Sequence, residues 1–261
     1  MEEVTKQMEY VFKWCNANKL TINMDKTNYM LIRGSKLKVE THGDLILGTT
    51  IIKRVESASF VGIVIDDHLT WKDHIQKVNK CIRRKIGILY RLRYFIPTKV
   101  LVMLYKSFIQ PHITYGIEVW GSTYKSSLHC ILLSQKLAVR AITFSAFDSN
   151  SQKLFKKLKL LNILQLHKLS LCTFMHDLTY NNLPYGLTRY CSLIQHEHET
   201  RHKESGKLQV PAFHSNQGQF SLTYTGTSFW NELPLDLRKT TSRFCFRKLL
   251  TQQLLEGKGQ H

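Results

Sequence analysis

Apolar residues recur at two different periods along this chain, and the change of period divides it. Through residues 1–19, Val4, Met8, Val11, Phe12 and Cys15 fall three and four apart, the spacing of one face of an amphipathic helix. Leu20 to Asn23 reads as a short extended piece, and Thr27 to Ile32 as a strand that Gly34 ends. Residues 43–55, GDLILGTTIIKRV, read as a hairpin turning at Gly48. Ser59 to Ile65 reads as a further strand, rich in β-branched residues.

After Asp66 the period becomes helical. Residues 71–96 predict one long helix with Ile75, Val78, Ile82, Ile86 and Leu89 in a stripe. Lys77, Lys80, Arg84 and Arg91 fall on the opposite face, because steps of three, four and seven add to nearly whole turns. Pro97 suits the first turn of the next helix, 98–119, which Pro111 should kink or break. Further helices are expected over 124–145, 150–160 and 162–180, the middle one carrying Lys153, Lys156, Lys157 and Lys159. Residues 181–220 hold Pro184, Gly186, Gly206, Pro211 and Gly218 among many His, Ser and Gln, and read as a loop-rich connector. Phe229 to Pro234 then forms a compact piece before a last helix over 242–255. Strands followed by helices give an α+β fold class.

Charge narrows the partners. The 261 residues hold 37 Lys and Arg against 19 Asp and Glu, a formal net charge of +18. Such an excess attracts polyanions, of which nucleic acid and anionic membrane are the main candidates. The 43% of hydrophobic residues excludes a wholly disordered chain. Six scattered cysteines without a CxxC pair suit a reducing, intracellular compartment, cytoplasm or nucleus. Met1-Glu2-Glu3-Val4 is too polar for a signal peptide, and the apolar run Val100 to Ile109 is short and interrupted by Lys106. No membrane association is therefore expected, and the sequence leaves the oligomeric state open.

Three stretches carry a family pattern. In WCNANKLTINMDKT, Trp14, Leu20, Asn23, Lys26 and Thr27 stand at characteristic spacings. Phe60-Val61-Gly62-Ile63-Val64-Ile65-Asp66 is followed by Leu69, Trp71 and His74-Ile75. A third string runs Leu104-Tyr105, Pro111, Tyr115-Gly116, Trp120, Gln135 and Arg140, with Trp230-Asn231-x-Leu233-Pro234 near the end. In order and spacing these resemble the downstream part of non-LTR (LINE-type, jockey-like) retrotransposon reverse transcriptases, over residues 5–255.

The resemblance implies a residual palm over 1–70, a helical thumb over 71–180, and a connector with a C-terminal helix over 181–261. It implies that Lys26 lies near the incoming triphosphate and protonates the leaving pyrophosphate. Phe60, Val61 and Gly62 would form the primer grip. Lys77, Lys80, Arg84, Arg91, Lys153, Lys156, Lys157 and Lys159 would meet the phosphates of a template–primer duplex of RNA and DNA, or else form a solvated charged face. Such enzymes work through Mg²⁺ held by aspartates of an early palm strand and a Tyr/Phe-x-Asp-Asp hairpin. Both lie upstream of the lysine element, and the segment before Lys26 holds no aspartate but Asp25. The chain alone is therefore expected to lack polymerase activity and to need no cofactor. Asp66-Asp67 at a strand exit is the rival metal pair, with helix capping the alternative. Cys191, His196, His198 and His202 match no standard zinc finger, so no metal is assigned. Tyr90, Tyr94 and Phe95 either stack on nucleotides or pack internally. Strands parted from upstream partners would leave open edges, so poor solubility is expected, relieved by a start near Leu69. The rivals to an enzyme fragment are a non-catalytic nucleic-acid-binding module, a functionless transposon remnant and a protein-interaction scaffold.

Overall fold

A computed structural model describes residues 2–34, 45–47, 50–190 and 206–257. The chain divides into two compact units, Met1–His74 and Ile75–His261. The order of elements is α+β, as the pattern predicts: strands lie in the first unit and helices fill the second. Among the described residues no helix is long and apolar enough to cross a membrane.

Among its described residues the first unit holds α1 (Glu2–Ala17), a 3-10 turn (Met24–Lys26) and five short strands. β1 (Asn28–Tyr29) lies parallel to β3 (Thr50–Arg54), and β2 (Leu45–Leu47) lies antiparallel on its other side. The strand expected over 27–32 shortens to two residues, because β3 pairs only with Asn28 and Tyr29. Gly48, the expected turn, lies outside the described residues. Among the described residues the core here is small. Leu45 and Ile52 are buried, with Met8, Ile22, Met24 and Tyr29 packed against them. Of the apolar stripe on α1, Met8 reaches that core while Val4, Val11 and Phe12 stay exposed.

The single strand expected over Ser59–Ile65 is instead a hairpin. β4 (Ser57–Phe60) pairs antiparallel with β5 (Ile63–Asp66) across a two-residue turn, Val61-Gly62. Both turn residues have positive φ, 47° and 81°, the requirement of a type I′ hairpin turn. Gly62 meets it freely, whereas a β-branched valine is strained there. Val61 hides the turn from a pattern reading, since its side chain marks a strand.

The chain leaves β5 through a tightly held junction. Asp66 Oδ1 accepts from the backbone N–H of His68 (3.2 Å) and Thr70 (2.9 Å), and Oδ2 from that of Trp71 (2.8 Å). These bonds fix Leu69 and Trp71 at positive φ, 52° and 62°, just before α2 (Lys72–Leu92). His74 folds back, its Nδ1 accepting from the Val64 N–H at 3.3 Å.

In the second unit the α2 stripe, Ile75, Val78, Ile82, Ile86 and Leu89, is buried as its period predicts. The helix expected over 98–119 is divided. α3 (Thr98–Leu104) passes into a π-helical turn (Tyr105–Ile109), then α4 (Gln110–Thr114) and α5 (Ile117–Trp120). Pro111 supplies the cause: it has no N–H to give, and its ring crowds the preceding turn. The widened turn accommodates it, with the Gln110 N–H reaching back to the Tyr105 carbonyl. α6 (Lys125–Thr143), α7 (Ser151–Leu158) and α8 (Ile163–Thr179) follow. The expected connector over 181–220 contains α9 (Tyr185–Tyr190) and α10 (Asn216–Gln219). α11 (Leu222–Asn231), α12 (Leu235–Arg238) and α13 (Arg243–Glu256) complete the order.

α8 is the hub against which α4, α5, α6, α11 and α13 pack. Its start is fixed by a capping box between Asn162 and Gln165. Buried Gln135 ties three segments together. Its Nε2 donates to Tyr105 Oη (2.8 Å) and the Leu161 carbonyl (3.4 Å), and its Oε1 accepts from the Ile163 N–H (2.7 Å).

Candidate nucleic-acid interface

Lys77, Lys80, Arg84 and Arg91 stand exposed along α2, on the face opposite its buried stripe. A helix advances about 1.5 Å per residue, so the four cations span roughly 20 Å, several phosphate spacings of a duplex. Lys85 leaves this line and contacts His112, whose pKa is lowered by burial and by the Lys85 charge.

On α7 the four lysines part ways. Lys153 and Lys157 are exposed on one side of the helix, opposite buried Phe155. Lys156 Nζ donates to the Glu256 carbonyl at 3.1 Å, holding the C-terminal end of α13. Lys159 stands just past the helix at φ 52°, the left-handed position that ends α7. Of this cluster, Lys156 thus has a structural task as well as a charge.

Both candidates in the first unit are exposed. Lys26 ends the 3-10 turn, which Asn23 caps through its Oδ1 on the Lys26 N–H (3.2 Å). Phe60 and Val61, 69% and 67% exposed, form the tip of the β4–β5 hairpin with Gly62. Lys26 and this tip belong to the first unit, and the candidate phosphate-binding cations of α2 and α7 belong to the second.

Asp66 and Asp67 are occupied otherwise than a metal pair would be. Both Asp66 oxygens cap the start of α2, and Thr70 Oγ1 adds a fourth donor at 3.3 Å. Asp67 faces Arg33 and His68, each at 3.8 Å. Among the described residues no three His, Cys, Asp or Glu side chains cluster as metal ligands. Asp66 and Asp67, so engaged, do not fit a two-metal centre. Cys191, His196, His198 and His202 lie outside the described residues.

Comparison with known proteins supplies the context for this surface. A probable RNA-directed DNA polymerase from transposon X-element of Drosophila melanogaster is 23% identical over 154 residues, 58% of this chain and 17% of its own length. A probable RNA-directed DNA polymerase from transposon BS of the same organism is 27% identical over 154 residues, 56% of this chain and 16% of its own length. The chain is a relative of non-LTR retrotransposon reverse transcriptases. The RNA-directed DNA polymerase from mobile element jockey is a third such relative, 28% identical over 119 residues, 43% of this chain and 13% of its own length. The chain thus spans well under a fifth of these reverse transcriptases. No protein-family model matches it, and no solved structure does.

Several of the positions that resemble reverse transcriptases hold the fold together through hydrogen bonds. Tyr105 and Gln135 form the buried bond described above, and the Trp120 indole N–H donates to the Tyr115 carbonyl at 2.9 Å. The Trp230 indole N–H donates to Gly206 O (2.9 Å), while Asn231 bonds both the N–H and the carbonyl of Leu208. These bonds pin the 206–208 segment to α11. Of the rings expected either to stack on nucleotides or to pack internally, Tyr90, Tyr94 and Phe95 are all exposed; the arginines and the further rings beside them were not foreseen as a group. Arg93 lies 5.1, 4.7 and 5.1 Å from the ring centroids of Tyr90, Tyr94 and Phe144, and Arg140 lies 5.2 Å from that of Phe147. Aromatic residues beside arginines at helix ends were the available signal.

Proposed function

We propose that this chain is a nucleic-acid-binding part of a reverse transcriptase, holding template–primer phosphates along α2 and α7. The observation that carries this reading is the row of four exposed cations on α2, set opposite its buried stripe. The kinship with RNA-directed DNA polymerases supports RNA and DNA as its partners. Contacts of this kind go to phosphate oxygens, so binding is strong, salt-sensitive and indifferent to sequence.

In an intact enzyme performing target-primed DNA synthesis, Lys26 would donate a proton to the leaving pyrophosphate. An exposed ammonium on a capped turn suits that role. The Phe60–Gly62 tip would hold the primer, a rigid apolar edge against a sugar. By itself the chain adds no nucleotides, because its adjacent carboxylates, Asp66 and Asp67, are committed to a helix start and an ion pair. Primer extension on an RNA template with Mg²⁺ tests this: the reading expects no product. Template-dependent extension abolished by Asp66→Asn together with Asp67→Asn would contradict it.

A further inference from the structure

The far end of α2 carries a surface unlike the cation row. Tyr94 is 69% exposed, and Phe144 and Phe147 are 50% and 78% exposed. Arg93 stands within cation–π distance of Tyr90, Tyr94 and Phe144, and Tyr94 meets Phe144 edge-on at 5.7 Å. Arg140 stands likewise against Phe147. Each guanidinium is held by one fixed bond, Arg93 Nη2 to Tyr94 Oη (2.5 Å) and Arg140 Nη2 to Ser149 O (3.2 Å). Phe144 sits just past α6 at φ 53°, a left-handed position where glycine is the comfortable residue. A bulky ring kept there faces solvent instead of filling a core.

Resting on the nucleic-acid reading above, we propose that Tyr94, Phe144 and Phe147, held by Arg93 and Arg140, form a stacking platform for unpaired nucleobases of a single strand. Planar rings with interleaved guanidiniums offer a π-face to any base and positive charge to the phosphates between them. Arg91, Arg93 and Arg140 outnumber Asp148, the exposed acidic neighbour of Phe147, so the patch carries net positive charge, which favours a polyanion. A duplex keeps its bases stacked inside and gains nothing from such rings. The platform therefore adds a preference for single strands to the strand-blind attraction of the α2 row.

The test uses the full chain and four labelled probes of one sequence: single-stranded RNA, single-stranded DNA, and a duplex of each. Anisotropy at fixed salt gives the affinities. Tyr94→Ala with Phe147→Ala should weaken single-strand binding about tenfold and leave duplex binding unchanged, as loss of base–aromatic stacking does. Phe147→Tyr, which keeps a ring at that position, should retain wild-type affinity, and both rings removed in the double variant are exposed, so folding is not at stake. Phe147→Trp adds a reporter whose emission a single strand should quench and a duplex should not. The RNA and DNA arms identify which strand is bound. Unchanged single-strand affinity in the double alanine variant, with duplex binding intact, overturns the platform and leaves the α2 reading standing. Equal loss on all probes also overturns it. Absence of binding by the wild-type protein to any probe defeats both. If the double variant instead shifts only the sedimentation coefficient, the patch joins copies of the chain and the proposal is wrong.

Discussion

Two residues in the second unit show how closely its interior is set. His167 is buried beside Ser122, its Nε2 3.1 Å from the hydroxyl, and burial lowers its pKa from 6.5 to about 4. A depressed histidine stabilises the fold fully above its unfolded pKa. That contribution is lost as pH falls from about 6.5 towards 4, since the unfolded chain then binds the extra proton. The loss across this window is on the order of 3 kcal/mol. Urea midpoints measured from pH 7 down to 4.5 should therefore fall, and His167→Gln should flatten that slope. Gly121 lies against the same ring. A Cβ there would stand 2.5 Å from His167 Cδ2 and 2.5 Å from the Ile117 carbonyl. Gly121→Ala should cost about 2 kcal/mol or more in unfolding free energy. Thermal melts equal to wild type would show that this contact relaxes. Neither residue was legible in the sequence, because their meeting depends on α5 folding onto α8.

At the scale of elements, α2 was the most legible. Its 3.6 period fixes both the buried stripe and the cation row, and one face follows from the other. Gly87 lies inside this helix, and a Cβ added to it would meet nothing within 4 Å. Gly87→Ala should accordingly stabilise the protein by about 0.5–1 kcal/mol, seen as a raised melting temperature; a lowered one would mean that the glycine serves α2 in some other way. The β4–β5 hairpin was not legible in the pattern, because Val61 gives its turn a strand-like residue. Pro111 announced a break but not its form, since a π turn depends on which carbonyl the Gln110 N–H can reach. α11 was missed because its helix, LTYTGTSFWN, is rich in residues of low helical propensity. Packing of Gly226 under Met175 lets it lie close against α8: a Cβ there would stand 2.8 Å from the sulfur. The rings at the end of α2 were legible as aromatic but not as exposed, since exposure is decided by where α6 ends.

Across the whole molecule, the two units differ in how well they cover their apolar groups. The second has α8 enclosed by helices. The first leaves Tyr10, Val11, Trp14, Phe60 and Val61 exposed around a core of Leu45 and Ile52. Exposed rings and short strands with open edges favour self-association. A chain beginning at Ile65, which keeps the Asp66 cap, should stay monomeric to higher concentration than the full chain in light scattering; the reverse result would show that the first unit protects the second. Cations that hold phosphates release counterions on binding, so duplex affinity should depend on salt. A plot of log K against log salt for the full chain should be linear and steep. Lys77→Ala, Lys80→Ala and Arg84→Ala combined should lower the slope by roughly 2–3, about 0.9 for each phosphate no longer neutralised. A slope near zero, or one unchanged in the triple variant, would contradict the account.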